Sequence, residues 1–70
     1  MSDVVEVGAF LTVPEVARRL QISRTAAYQL ARRWLDGDVT DGIPAVRIGR
    51  SIRVPAAAFE RWARGLPFVP

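Results

Sequence analysis

The chain has no cysteine, no histidine and no lysine. Without cysteine there is neither a disulfide to staple a small fold nor a thiol to act as a nucleophile. Without cysteine or histidine the usual zinc-finger ligand sets cannot be assembled, and no imidazole is present to move a proton. The acid-rich stretch Asp36-Gly-Asp-Val-Thr-Asp-Gly42 lacks the twelve-residue spacing and closing glutamate of a calcium loop. No metal, no cofactor and no enzymatic activity are therefore expected. No apolar run approaches the roughly 18 residues of a membrane span, and no basic segment precedes an apolar core at the N-terminus. The expectation is a cytoplasmic chain with no membrane partner. At 70 residues there is room for one domain with a small core, near the lower limit of independent stability.

What the chain does have is charge, and it is segregated. The formal net charge is only +3, and all ten basic residues are arginine. Residues 16–35 carry Arg18, Arg19, Arg24, Arg32 and Arg33 with no acid, and residues 42–55 carry Arg47, Arg50 and Arg53 with no acid. The acids fall elsewhere, chiefly at Asp3, Glu6, Glu15 and the cluster Asp36, Asp38 and Asp41. A cationic face on a nearly neutral chain is the footprint of a polyanion binder. A plain solvated arginine face has the same composition, so the elements that carry the charges must decide.

Thr12-Val-Pro-Glu15 has the form of a helix start. Thr12 can cap the first turn, Glu15 at the third helical position can reach back to it, and Pro14 sits where its missing N–H costs nothing. Leu11 and Val16 are placed to staple that end together. This helix runs to about Leu20, with Val16, Ala17 and Leu20 inward. Gln21-Ile22 makes a turn, and Ser23 caps a second helix reaching Trp34 or Leu35. At 100° per residue Ala27, Leu30, Ala31 and Trp34 form its core stripe. Thr25, Gln29 and Arg32 fall opposite, with Tyr28 and Arg33 on the flanks and Arg24 near the start. Two short helices joined by so tight a turn are a helix-turn-helix, and the second has the size and polarity to lie in a DNA major groove. Gln can pair with adenine, Arg with guanine, and the Thr methyl can touch a thymine methyl.

After the Asp36–Gly42 loop, Ala45-Val-Arg-Ile48 and Ile52-Arg-Val54 alternate with period two around a Gly49-Arg50-Ser51 turn. On that pairing Val46, Ile48, Ile52 and Val54 face the core, Arg47 and Arg53 point outward, and Arg50 sits at the tip, suited to a narrow minor groove. Pro55 opens a last helix with Ala58, Phe59, Trp62 and Ala63 as its apolar stripe; Gly65 ends it and Pro67 prevents resumption. The expected fold is α+β, a winged helix-turn-helix of three short helices with a two-stranded β-hairpin wing. Residues 1–9 are expected to be a flexible arm or short strand. Residues 10–64 make the DNA-binding domain, and residues 65–70 an apolar tail that folds back or docks to a partner.

Four segments together resemble a known family, the small excisionase-type winged helices related to the MerR superfamily. They are Leu11-Thr-Val-Pro-Glu-Val-Ala, Ile22-Ser-Arg-Thr-Ala-Ala-Tyr-Gln-Leu, Pro44-Ala-Val-Arg-Ile-Gly-Arg-Ser-Ile-Arg-Val-Pro and Ala58-Phe-Glu-Arg-Trp, and the resemblance they carry covers residues 10–64. The resemblance implies that the Ser23–Arg33 helix enters the major groove, with Arg24, Thr25, Tyr28, Gln29 and Arg32 as contacts. It implies equally that the Arg47–Arg53 hairpin is a wing led by Arg50. The chain departs from the family at Gln21, where glycine is usual, and in the Asp36–Gly42 lengthening before the wing.

The resemblance also implies a function. Excisionases, or recombination directionality factors, bind tandem sites beside an attachment core, bend the DNA and recruit an integrase toward excision. Small regulators with the same winged helix bind promoters instead. The expectation leans to the excisionase, because no effector domain or long dimerisation helix follows the domain. A module this small also needs cooperative self-association on repeated sites, or a partner such as an integrase, to bind usefully. A protein-interaction module that has lost DNA binding is a third possibility, against which the polar face of Thr25, Gln29 and Arg32 speaks.

Overall fold

A computed structural model of the chain describes residues 9–66. The first eight residues of the expected arm, and residues 67–70 of the expected tail with its Pro67 stop, lie outside the described residues. Strand β1 (Phe10–Thr12) leads directly into helix α1 (Val13–Leu20), and helix α2 (Arg24–Leu35) follows. Strands β2 (Val46–Ile48) and β3 (Ser51–Pro55) form the hairpin, and helix α3 (Ala56–Arg64) closes the fold. The result is an α+β winged helix-turn-helix, as expected. The sheet has one strand more than the hairpin: its order is β1-β3-β2, all antiparallel, with Leu11 opposite Val54 and Thr12 opposite Arg53.

Local chemistry fixes the helix starts. Thr12 Oγ1 accepts from the Glu15 amide at 3.2 Å, while Glu15 Oε1 accepts from the Thr12 amide at 2.9 Å and from its hydroxyl at 3.0 Å. This is a complete capping box. Leu11 and Val16 are buried in one cluster, so the staple forms as well. The Thr12 amide, and after it the Thr12 hydroxyl, hold the Glu15 carboxyl below its ordinary value; desolvation opposes them, and Arg18 and Arg19 lower it further. A depressed carboxylate stabilises the fold above its unfolded pKa and loses that contribution as the pH falls through the folded pKa. The melting temperature of Glu15→Gln should therefore lie below that of the wild type at neutral pH and converge on it in acid. A gap between the two melts that stayed constant with pH would remove the carboxylate from the cap.

The turn between α1 and α2 is closed by a Schellman motif. The Ile22 amide donates to Ala17 O at 3.0 Å and the Gln21 amide to Arg18 O at 3.2 Å. The motif places Gln21 in the left-handed region, at φ 58° and ψ 44°, and Gln21 is the one non-glycine residue with positive φ among the described residues. A side chain there costs about 1 kcal/mol, which explains why glycine suits this position. Gln21→Gly removes that strain but adds unfolded-chain entropy. The net expectation is a melting temperature higher by about 2–6 °C. A lower one would mean that the Gln21 side chain itself stabilises the turn. Ser23 then caps α2, its Oγ accepting from the Ala26 amide at 3.0 Å.

The core has two lobes. Leu11, Val16, Ile43, Val54 and Phe59 form one, flanked by Leu20, Leu30, Ala56 and Trp62. Val13, Ala17, Ala27, Ala31 and Ala45 form the other, where small side chains let α1 and α2 approach closely. Phe59 and Trp62 stack at a centroid distance of 5.8 Å. Helix α3 starts at Pro55 with no side-chain cap; instead the Ala56 amide donates to Ala9 O at 2.9 Å. It ends at Gly65, which keeps right-handed backbone at φ −86°.

The segment after the acidic loop is more structured than its composition suggests. Asp38 Oδ1 accepts from the Thr40 and Asp41 amides at 3.3 and 3.2 Å, so this acid folds the loop locally. The chain then runs against α2. A Cβ on Gly42 would lie 2.6 Å from Trp34 N, a contact only glycine permits, and the Ile43 amide donates to Leu30 O at 3.1 Å. Residues 42–45 are all buried.

Candidate nucleic-acid interface

On α2 the expected faces hold. Ala27 and Ala31 are buried and Leu30 and Trp34 half-buried, while Arg24, Thr25, Tyr28, Gln29, Arg32 and Arg33 are all exposed. At 100° per residue Thr25, Tyr28, Gln29 and Arg32 fit within an arc of about 100°, with Arg24 and Arg33 at its two borders. The middle of the outward face thus carries groups that can read base edges, and the borders carry groups suited to phosphates. The first turn of α2 contains no acid to offset its partial positive charge.

The wing departs from expectation in its register. Val46 pairs with Arg53, Arg47 with Ile52 and Ile48 with Ser51, so the loop is Gly49-Arg50 alone and not Gly49-Arg50-Ser51. Gly49 has φ +61° and Arg50 has no positive φ, the pattern of a type II′ hairpin with glycine first. Shortening the turn by one residue moves every side chain of β2 to the other face. Val46 and Ile48 therefore lie on the side of the sheet away from Ile52 and Val54, and only those two of the four expected residues face the core. Ile48 is 53% exposed.

The same shift separates the wing arginines. Arg47 shares the face of Ile52 yet remains exposed, and Arg50 is exposed at the tip. Arg53 lies on the opposite face, half-buried, its Nη1 donating to Ile52 O at 2.9 Å. Arg53 is thus tied to its own strand and is the least available of the three.

Among the described residues none of these arginines is paired with an acid. Among the described residues the only ion pair is Glu60–Arg64 on α3, at 3.9 Å and exposed. Arg18 and Arg19 at the end of α1 are exposed as well. No group of three acids could hold a metal ion, and no helix is long and apolar enough to cross a membrane, among the described residues.

A helix-turn-helix whose second helix exposes such a face, beside an arginine-tipped hairpin, defines a DNA-binding module. The chain belongs to a helix-turn-helix family: residues 10–67 match the family described as Helix-turn-helix domain. Membership implies double-stranded DNA as the partner. No curated protein and no solved structure matches the chain.

Proposed function

We propose that the protein is an excisionase-type recombination directionality factor, which binds tandem sites, bends the DNA and directs an integrase toward excision. The observation that carries this is the α2 face, where Thr25, Tyr28, Gln29 and Arg32 stand exposed between Arg24 and Arg33 with no acidic partner among the described residues. In this proposal those six residues enter the major groove and Arg47 and Arg50 meet the adjacent backbone or minor groove. Arg53, already bonded to Ile52 O, contributes charge more than contact.

The excisionase is favoured over a promoter regulator by the family match, which is associated with excisionase-like DNA-binding proteins. The small size of the module points the same way, since so few base contacts need repeated sites or a partner to give useful affinity. Footprinting of the purified protein on fragmented DNA from its own source, at physiological salt, tests the proposal. Tandem protected repeats beside an integration core are the expected result. Scattered promoter sites would make it a regulator, and no protection anywhere would leave a protein-interaction module.

A further inference from the structure

We infer that Ile48 is an apolar wedge, which enters the minor groove beside Arg50 and partly unstacks one base step when α2 is seated in the major groove. The inference rests on the DNA-binding function proposed above and supplies a source for the bend. Its first support is the register. A three-residue turn would have turned Ile48 to the core, but the Gly49-Arg50 turn sets it outward, opposite the small Ser51. An isoleucine 53% exposed at that point leaves most of its apolar surface outside the core.

Its second support is isolation. Phe10, among the described residues the other large exposed apolar side chain on that sheet face, pairs with Pro55, four residues along β3 from Ser51. That is about 13 Å along the strand and roughly 10 Å across two strand spacings. The half-buried Val46 and Arg53 lie between the two, so among the described residues no second strongly exposed apolar side chain on this face adjoins Ile48.

The third support is shape. Gly49 adds no side chain and has open space around it, so the end of the wing is narrow, with Ile48 immediately before it and Arg50 at it. A minor groove about 6 Å wide admits such a tip but not the full ribbon. The guanidinium is drawn by the negative potential of the groove, and an adjacent aliphatic side chain is of the kind that opens base steps. Pyrimidine–purine steps unstack most easily, so a TA or CA step is expected under the wing.

The test uses a duplex selected by the wild-type chain from a random-sequence pool, carrying fluorophores at both ends and 2-aminopurine scanned through the steps beside the α2 site. Wild-type protein should raise 2-aminopurine fluorescence several-fold at one step and bring the ends closer. Ile48→Ala should lose both signals while its affinity falls no more than about tenfold, and Ile48→Leu should keep them. Because Ile48 is exposed, all three proteins should melt alike. Bending and unstacking retained in Ile48→Ala, or absent from the wild-type complex, would overturn the wedge. In either case weaker binding by Arg32→Ala would leave the α2 interface standing. Failure of the wild-type chain to select any duplex would overturn both.

Discussion

Ile43→Ala is expected to abolish cooperative folding at physiological temperature. Ile43 is the largest side chain in the core with 0% exposure, and it joins α1, α3 and β3 through Val16, Phe59 and Val54. Truncating such a residue removes its transfer free energy and leaves a cavity, together about 2–5 kcal/mol. A chain of this size, with no disulfide or metal, has roughly 3–5 kcal/mol of core stabilisation to lose. The Ile43 amide bond to Leu30 O also fixes the chain leading to the wing, so local relaxation would disturb both helix and hairpin. Far-ultraviolet circular dichroism against temperature should show no cooperative melt. Ile43→Val should still fold, at a cost of about 0.5–1.5 kcal/mol, and melt several degrees lower. A wild-type melt from Ile43→Ala would mean that the loop over α2 is not part of the cooperative unit.

Arg32→Ala with Arg50→Ala should weaken DNA binding by roughly 10²–10³-fold and lower the salt dependence by about two units of slope. Arg32 projects from the centre of the α2 face and Arg50 from the wing tip, both exposed and without an acidic partner among the described residues. Each is expected to displace about one counterion if it meets a phosphate. They stand on different elements with no shared contact, so the two losses should add. Gln29→Ala is the informative contrast. It removes no charge, so the slope should hold while base preference relaxes at one position. The assignment of the face is wrong if the double variant keeps the affinity and slope of the wild type, or if Gln29→Ala weakens all sequences alike.

Helix ends and helix faces were legible in the residues because their causes are local. The Thr12–Glu15 box, the Ser23 cap, the Leu11–Val16 staple and the α2 stripes all depend on spacings of five residues or fewer. What was not legible depended on distant partners or on a single residue of register. Strand β1 is only Phe10–Thr12, and its reason for being a strand is β3, more than forty residues away. Gly42-Ile43-Pro44 has the composition of a loop, and only the approach to Leu30 and Trp34 shows why an isoleucine stands there and why its neighbour is glycine. At the wing, Gly49-Arg50-Ser51 satisfies a turn of two residues or three. The alternation of Val46 and Ile48 with Ile52 and Val54 favoured three, and the structure has two. The candidate contacts on α2 were therefore readable from period alone, whereas the orientation of the wing arginines was not.

The middle position of β3 has a mechanical consequence. One edge of that strand carries β2 and the wing, and the other carries β1, whose last residue, Thr12, is also the cap of α1. The Schellman turn and Ser23 then couple α1 to α2 within three residues. A tilt of the hairpin is thus passed through Arg53 and Thr12 to the helix pair, and the wing and α2 are coupled like the prongs of one fork. If α2 and the wing grip adjacent grooves as proposed, prongs coupled in this way leave accommodation to the duplex, which changes shape where its grooves do not match their spacing.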